Sequence, residues 1–185
     1  MKSVRFVSVL LVSLAATAFA QSHEHASEAA APATEAQKEF AQLKMLAGKW
    51  QGPVDMGPAG RDNMEVSLRV TSRGNALVHE MKGAGTADDP AKYDHPITMF
   101  YLDDDRLLLT HYCDAGNRPR MVAKASPDGK TVEFDLLDLA GGNKHGHMAH
   151  AVFTIVDADH HIEDWTYLMP GDKPMHAHVE LARVK

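Results

Sequence analysis

The strongest constraint on the fold is an alternation of apolar and polar side chains with a period of two residues, which begins after Gly48. This period is typical of β-strands, because successive side chains of a strand point to opposite faces of the sheet. Clusters of Gly, Pro, Asn and Asp separate the alternating segments, and no helical segment intervenes. The pattern predicts about ten strands, at residues 50–54, 64–71, 76–82, 97–102, 106–113, 120–125, 131–137, 147–156, 161–168 and 175–184.

These strands predict an all-β fold, an up-and-down antiparallel β-barrel of about ten strands with one short N-terminal helix. Neighbouring strands are expected to pair antiparallel, and closure removes the sheet edges that invite aggregation. The helix is predicted over residues 35–47, because Thr34 and Gln37 fit a capping box and Phe40 follows at helical spacing. Gly48 stands where a glycine that ends a helix is expected. A β-sandwich is the alternative architecture.

Residues 1–20 have the pattern of a secretory signal peptide. Lys2 and Arg5 precede an apolar stretch, and Ala18 and Ala20 fit the small residues of a cleavage site. The apolar stretch is shorter than the ~20 residues that a membrane-spanning helix needs. We therefore expect cleavage near Ala20, a periplasmic or secreted mature chain, and no transmembrane segment in that chain. No cysteine stands at the cleavage point, so a lipid anchor is not expected.

The mature chain is expected to consist of a leader and one domain. Residues 21–33 are small, polar and without periodicity, which indicates a flexible leader, and residues 34–185 hold the predicted barrel. The net charge is −6 and no basic stripe stands out, so nucleic acid is not an expected partner. Cys113 is the one cysteine, which excludes a disulfide within the chain and a zinc site of the paired C-x-x-C kind.

Two predicted strands mix polar and apolar side chains on the same face. His111 shares its face with Leu109, and Glu163 shares its face with Trp165. A solid core disfavours this mixture, because each unpaired buried polar group costs ~1–3 kcal/mol. A barrel with a partly polar interior accommodates it, so we expect a cavity that binds a small, partly apolar ligand. The alternative is that these polar side chains face water.

Gly48-Lys49-Trp50, which follows the helix and opens the first strand, resembles the G-x-W signature of the lipocalin and calycin superfamily. In that superfamily the Trp closes one end of the barrel and stacks against a basic residue of the last strand. The resemblance implies this pairing for Trp50 and Arg183, through a cation–π contact. Ten-stranded relatives in the wider superfamily, the fatty-acid-binding and nitrobindin-like barrels, bind lipids or haem.

Three further segments are similar to a family of bacterial lipocalin-like barrel proteins of unknown function. They are residues 111–121 (HYCDAGNRPRM), Gly146-His147-Met148 and Glu163-Asp164-Trp165, and the likeness extends from about Leu46 to the end of the chain. Members of this family commonly carry Gln where this chain has Arg118. The resemblance implies a lipocalin-like barrel and brings no activity with it, and no motif in the sequence identifies a cofactor.

The predicted polar groups of the cavity are His111, Arg120, His147 and Glu163, with Trp165 as an apolar wall. An Arg120 side chain inside a barrel would need an anion, either a ligand carboxylate or a protein carboxylate such as Glu163. A nucleophilic pair of His111 and Cys113 is less favoured, because side chains two residues apart on a strand project in parallel. No acidic residue that would orient this His is identifiable, so the sequence favours binding over catalysis.

The alternative function is a periplasmic zinc or copper binding protein, or a metal-dependent enzyme. The chain has 12 histidines, and His145 with His147 and His176 with His178 form two H-x-H pairs. In a strand each pair lies on one face, so two facing pairs would supply four ligands. The competing interpretation places His145 in a loop and turns His176 and His178 toward water. Haem would need only one histidine as an axial ligand, and the absence of C-x-x-C-H excludes its covalent attachment.

Overall fold

Ten antiparallel strands follow one short helix in the computed structural model, which describes residues 32–124, 126 and 129–185. The predicted signal peptide and nearly all of the predicted leader lie outside these residues. The elements are α1 (Glu35–Met45), β1 (Gly48–Asp55), β2 (Arg61–Thr71), β3 (Ala76–Gly83), β4 (Ile97–Asp103), β5 (Arg106–Tyr112), β6 (Arg118–Lys124), β7 (Thr131–Ala140), β8 (His147–Ile155), β9 (His160–Met169) and β10 (Lys173–Arg183).

Each strand pairs with its neighbours in sequence, and β1 pairs with β10, so the sheet closes into a barrel. The predicted all-β, up-and-down, antiparallel barrel is therefore confirmed. Strand boundaries differ from the predicted ones by up to three residues. The difference that affects a predicted cavity residue, Arg120, is in β6. This strand begins at Arg118 rather than at residue 120 and has a bulge between Arg120 and Met121.

Helix α1 lies over one end of the barrel. The predicted capping box is present, since Thr34 Oγ1 accepts from the Gln37 backbone N–H and the Gln37 side chain accepts from Thr34 N–H. Phe40 and Leu43 on one helical face are buried and join the core of the barrel. The helix ends two residues earlier than predicted, with Leu46 as its C-cap, so Gly48 is not the glycine that ends it.

Gly48 instead allows the closed end of the barrel to form. Arg183 lies over the ring of Trp50 at 4.0 Å, which confirms the expected cation–π contact. The same guanidinium donates to the carbonyl oxygens of Met45, the last residue of α1, and of Ala47 in the turn that follows. A Cβ on Gly48 would stand 2.4 Å from Arg183 Nη1, and Gly48 has a φ of +147°, in the region that favours glycine.

The interior next to α1 is filled by aromatic and aliphatic side chains. Phe100, Phe134 and Phe153 pack ring against ring, at centroid distances between 5.2 and 6.1 Å. At the other end, the connections after β1, β3, β5, β7 and β9 surround the barrel mouth. Within the described residues, no helix has the length and apolar character needed to cross a membrane.

Candidate ligand-binding cavity

A cavity of about 690 Å³ opens at the mouth of the barrel, away from α1. Its volume falls within the ~300–1,000 Å³ that is usual for small-molecule sites. Much of the wall is apolar or aromatic, and three flexible methionines contribute to it. These wall residues are Met81, Met148, Trp165, Tyr167, Met175 and Ala177. Methionine side chains adapt to the shape of a ligand, so this wall suits an apolar body.

His111 contributes a polar atom to this wall. The side chain comes from the inward face of β5 and is 2 % exposed. Its Nδ1 lies 2.8 Å from the Oγ1 of Thr98, a buried residue on the neighbouring strand β4. A buried hydroxyl needs an acceptor, and Nδ1 is the partner that the structure gives Thr98. We therefore assign Thr98 as the donor, which places the ring proton of His111 on Nε2.

Among the described residues no hydrogen bond from the Nε2–H of His111 is found, and His111 lines the cavity. Burial first, and then the charge interaction with His79, lower the pKa of His111 to about 4. The imidazole is therefore neutral near pH 7. It offers one N–H donor in a mostly apolar cavity, which suits a carbonyl, ether or hydroxyl oxygen of a ligand.

A second polar group lies behind the cavity wall, where three N–H donors converge on the buried carboxylate of Glu163. His161 Nε2 lies 3.0 Å from Oε1, and Trp165 Nε1 donates to Oε2 over 3.0 Å. His79 reaches the same carboxylate from β3 across the barrel, at 3.0 and 3.1 Å from its two oxygens. We call Glu163, His79, His161 and the Trp165 indole the Glu163 cluster.

The Glu163 cluster keeps a buried carboxylate ionised. Burial raises the pKa of Glu163, but the charge interaction with His79 and the hydrogen bonds from both histidines outweigh it and lower that pKa below its usual range. The Nδ1 atoms of His79 and His161 are buried with no partner among the described residues. Each such atom lowers the free energy of unfolding by roughly 1–3 kcal/mol. The cluster therefore stabilises the barrel interior less than apolar side chains of the same size would.

The predicted cavity residues occupy different places in the structure. His111 and Trp165 line the cavity, and Glu163 lies behind Trp165, which it holds by a hydrogen bond. His147 is buried beside the cavity without lining it, and its Nδ1 lies 2.8 Å from Asn143 Oδ1. The structure thus brings three of the predicted residues together.

Arg120 lies on the outside of the barrel, which corrects the predicted position. Its guanidinium makes a two-point contact with the carboxylate of Asp138, its partner in the register of β6 and β7. The bulge after Arg120 leaves Met121 fully buried in the core. The anion that Arg120 requires is therefore Asp138, and neither Glu163 nor a ligand in the cavity is needed to explain it.

The two predicted H-x-H pairs do not converge in the structure. His145 lines the cavity mouth, whereas His176 and His178 project from β10 toward Thr166 and Asp164. Within the described ranges, one group of His, Cys, Asp and Glu has ligand atoms close enough for a shared metal ion. It consists of Glu133, Asp135 and His150, and the Lys124 ammonium already contacts both carboxylates.

His79, His161 and Thr98 contact the candidate site residues Glu163 and His111, and the sequence analysis did not predict them. His161 has a signal in the sequence, because it stands two residues before Glu163 and shares its face on β9. His79 and Thr98 also lie on inward faces, and their place beside His111 follows from the register of β3, β4 and β5. That register depends on pairing between strands, which periodicity along one strand does not reveal.

Comparison with known proteins defines the fold and leaves the function open. No known family pattern matches the chain, and no curated protein matches its sequence. The solved structure of Rv2717c from M. tuberculosis is similar, with a TM-score of 0.56 and 16% identity over 79% of this chain and 97% of that one. A protein of unknown function from the DUF3598 family of Nostoc punctiforme PCC 73102 aligns over 78% of this chain and 98% of its own, at 7% identity. Its TM-score of 0.25 supports no argument. The chain therefore shares its fold with Rv2717c, at an identity too low to carry over an activity.

Proposed function

We propose that this protein is an exported, lipocalin-like barrel that binds a small, partly apolar ligand in the cavity at its mouth. The observation that carries the proposal is the unpartnered Nε2–H of His111 beside an otherwise mostly apolar space. A donor of this kind gains a hydrogen bond when a ligand oxygen lies opposite it. The lipocalin-like assignment is supported by the closed barrel and by the arrangement of Gly48, Trp50 and Arg183.

Within this proposal each polar group has a defined task. His111 donates to an oxygen of the ligand, and the methionines pack against its apolar part. Glu163 fixes the indole of Trp165, whose ring forms a rigid part of the wall. A preorganised wall of this kind favours binding, because less side-chain freedom is lost when the ligand enters.

The proposal assigns binding rather than catalysis. Cys113 lines the same cavity, but burial, the largest effect on it, raises the pKa of its thiol. A protonated thiol is a poor nucleophile, since the thiolate is the reactive form. The neutral His111 has its Nδ1 engaged by Thr98, and within the described residues no carboxylate is hydrogen-bonded to its ring to support proton transfer.

Native mass spectrometry of untagged protein from a periplasmic extract tests the proposal. We expect an organic ligand on the wild-type protein and about tenfold weaker retention in His111→Ala, the effect of one lost hydrogen bond. His111→Gln keeps an N–H donor and should restore part of the retention. Arg120→Ala is the control, because that side chain is outside the barrel. A bare mass for the wild type, or equal retention in His111→Ala, would contradict the proposal.

A further inference from the structure

The cavity mouth carries two carboxylates, which also line an adjoining pocket that holds His95 and Arg118. Asp94 and Asp114 line the mouth on the side of β5, and among the described residues that line the cavity none is Lys or Arg. We infer that the ligand is a cationic amphiphile, with an amine or quaternary ammonium group at the mouth and an apolar body inside the barrel. This inference rests on the proposed function and specifies the ligand class.

The two carboxylates are free to meet a cation. Neither Asp94 nor Asp114 forms an ion pair within the described part of the chain. Partial burial, and then repulsion from Asp114, raise the pKa of Asp94, and the charge interaction with His95 offsets this only in part. A positive group placed between them relieves this repulsion, whereas the carboxylate of a fatty acid would add to it.

The aromatic side of the mouth is also suited to a cation. Trp165 and Tyr167 project from the same face of β9, and both line the cavity. Aromatic faces attract ammonium groups, and Trp does so most strongly. The indole N–H of Trp165 donates to the Glu163 carboxylate, which increases the electron density of the ring and strengthens this attraction. The carboxylates, from the connections before β4 and after β5, and the rings, from β9, thus line the same cavity.

The buried His111 distinguishes this cavity from an exposed acidic surface. Its side chain is 2 % exposed and presents an unpartnered Nε2–H to the cavity below Asp94 and Cys113. A ligand that reaches this N–H extends into the barrel and places its other end at the mouth. The site therefore has two distinct recognition points, a donor inside and negative charge outside, joined by an apolar wall.

Three decyl probes that differ only in the head group test this inference. Decyltrimethylammonium and decanoate are titrated below their micelle concentrations, and 1-decanol below its solubility limit, by isothermal calorimetry at low ionic strength. We expect decyltrimethylammonium to bind about tenfold more tightly than decanoate, as two exposed charges at the mouth allow. Asp94→Asn with Asp114→Asn should reduce this preference to about twofold and leave the affinity for 1-decanol unchanged.

The control variant is Asp104→Asn with Asp105→Asn, which removes the same charge at the α1 end of the barrel and should keep the tenfold preference. Equal binding of all three probes would overturn the inference and leave the proposed function standing. Tighter binding of decanoate would overturn it in the same way. No binding of any probe would also overturn it, and the native mass spectrum would then decide the proposed function separately.

Discussion

Three N–H groups converge on Glu163, and this convergence links the barrel interior to the shape of the cavity. Trp165 lines the cavity, and its indole N–H donates to the carboxylate. His79 also packs at 5.7 Å from the Trp165 ring. Changes at Glu163 should therefore affect both the stability of the barrel and the binding site, although the carboxylate itself does not line the cavity.

We expect Glu163→Gln to lower the free energy of unfolding by about 3 kcal/mol, the usual result of removing one partner from a buried charged cluster. The new amide would place an NH₂ group against the N–H donors of His79 and His161. Urea unfolding monitored by circular dichroism measures the change. Glu133→Gln, on the outer face of β7, is the matched control and should cost less than about 1 kcal/mol. Equal losses in the two variants would argue against the Glu163 cluster as described.

The lowered pKa of His111 predicts a loss of stability in mild acid. Its pKa falls from 6.5 in the unfolded chain to about 4 in the barrel, so protonation favours the unfolded state. Stability from this residue is complete above pH 6.5 and declines as the pH falls toward 4. We expect the drop in unfolding free energy between pH 7 and 4.5 to be about 2 kcal/mol smaller in His111→Gln than in wild type.

His178→Gln serves as the control for this pH series. Hydrogen bonding to Asp164 raises the pKa of His178, so its contribution to stability is present below pH 6.5 and is lost as the pH rises through the raised pKa. His178→Gln should therefore not reduce the acid loss. If His111→Gln loses as much stability as wild type between pH 7 and 4.5, this result would contradict the conclusion that His111 is neutral in the folded protein.

At the residue scale, alternation along single strands was sufficient to predict His111, Glu163 and Trp165 as interior positions. It was insufficient for Arg120, because the bulge beside it and its partner Asp138 depend on how β6 meets β7. It also missed His79, whose link to Glu163 crosses the barrel between strands that are not neighbours. Contacts across the interior depend on the closed three-dimensional arrangement, and no local pattern encodes them.

At the scale of elements, the turn between α1 and β1 joins the helix, the first strand and the last strand. Trp50 donates to the carbonyl of Leu46 over 2.7 Å, and Arg183 donates to the carbonyls of Met45 and Ala47. The sequence predicted the helix and the strands, because their periods differ, and predicted the Trp50–Arg183 contact from a resemblance. It did not predict why Gly48 is needed, since the close approach of Arg183 arises only after closure.

We expect Gly48→Ala to destabilise the barrel by about 2–3 kcal/mol, from its backbone conformation and from the clash with Arg183. Gly60→Ala is the control, because Gly60 also has a positive φ but has open space around it. Thermal unfolding should show that Gly48→Ala loses about 1 kcal/mol or more of unfolding free energy beyond the loss in Gly60→Ala. In an Arg183→Ala background the extra loss should disappear, and its persistence there would contradict the role assigned to Arg183.

At the scale of the whole molecule, we expect an exported chain that is processed before it functions. The signal peptide predicted over residues 1–20 implies that the mature protein begins at Gln21. Intact-mass measurement of the periplasmic protein checks this directly. Ala18→Leu should block processing, because the cleavage site requires a small residue, whereas Ala26→Leu in the leader should not. A mature protein that retains Met1 would contradict the predicted export.

The pairing of β1 with β10 also determines when the cavity can exist. These strands are the first and the last of the barrel to be synthesised, and their contacts join residues more than 120 positions apart, as between Trp50 and Arg183. Such long-range closure forms slowly, because the intervening chain must be ordered first. A chain that is threaded through a translocation channel cannot seat β10 beside β1 until the last strand has passed. If the predicted signal peptide directs export, we expect the barrel to stay open during translocation and to acquire the proposed binding site only on the far side of the membrane.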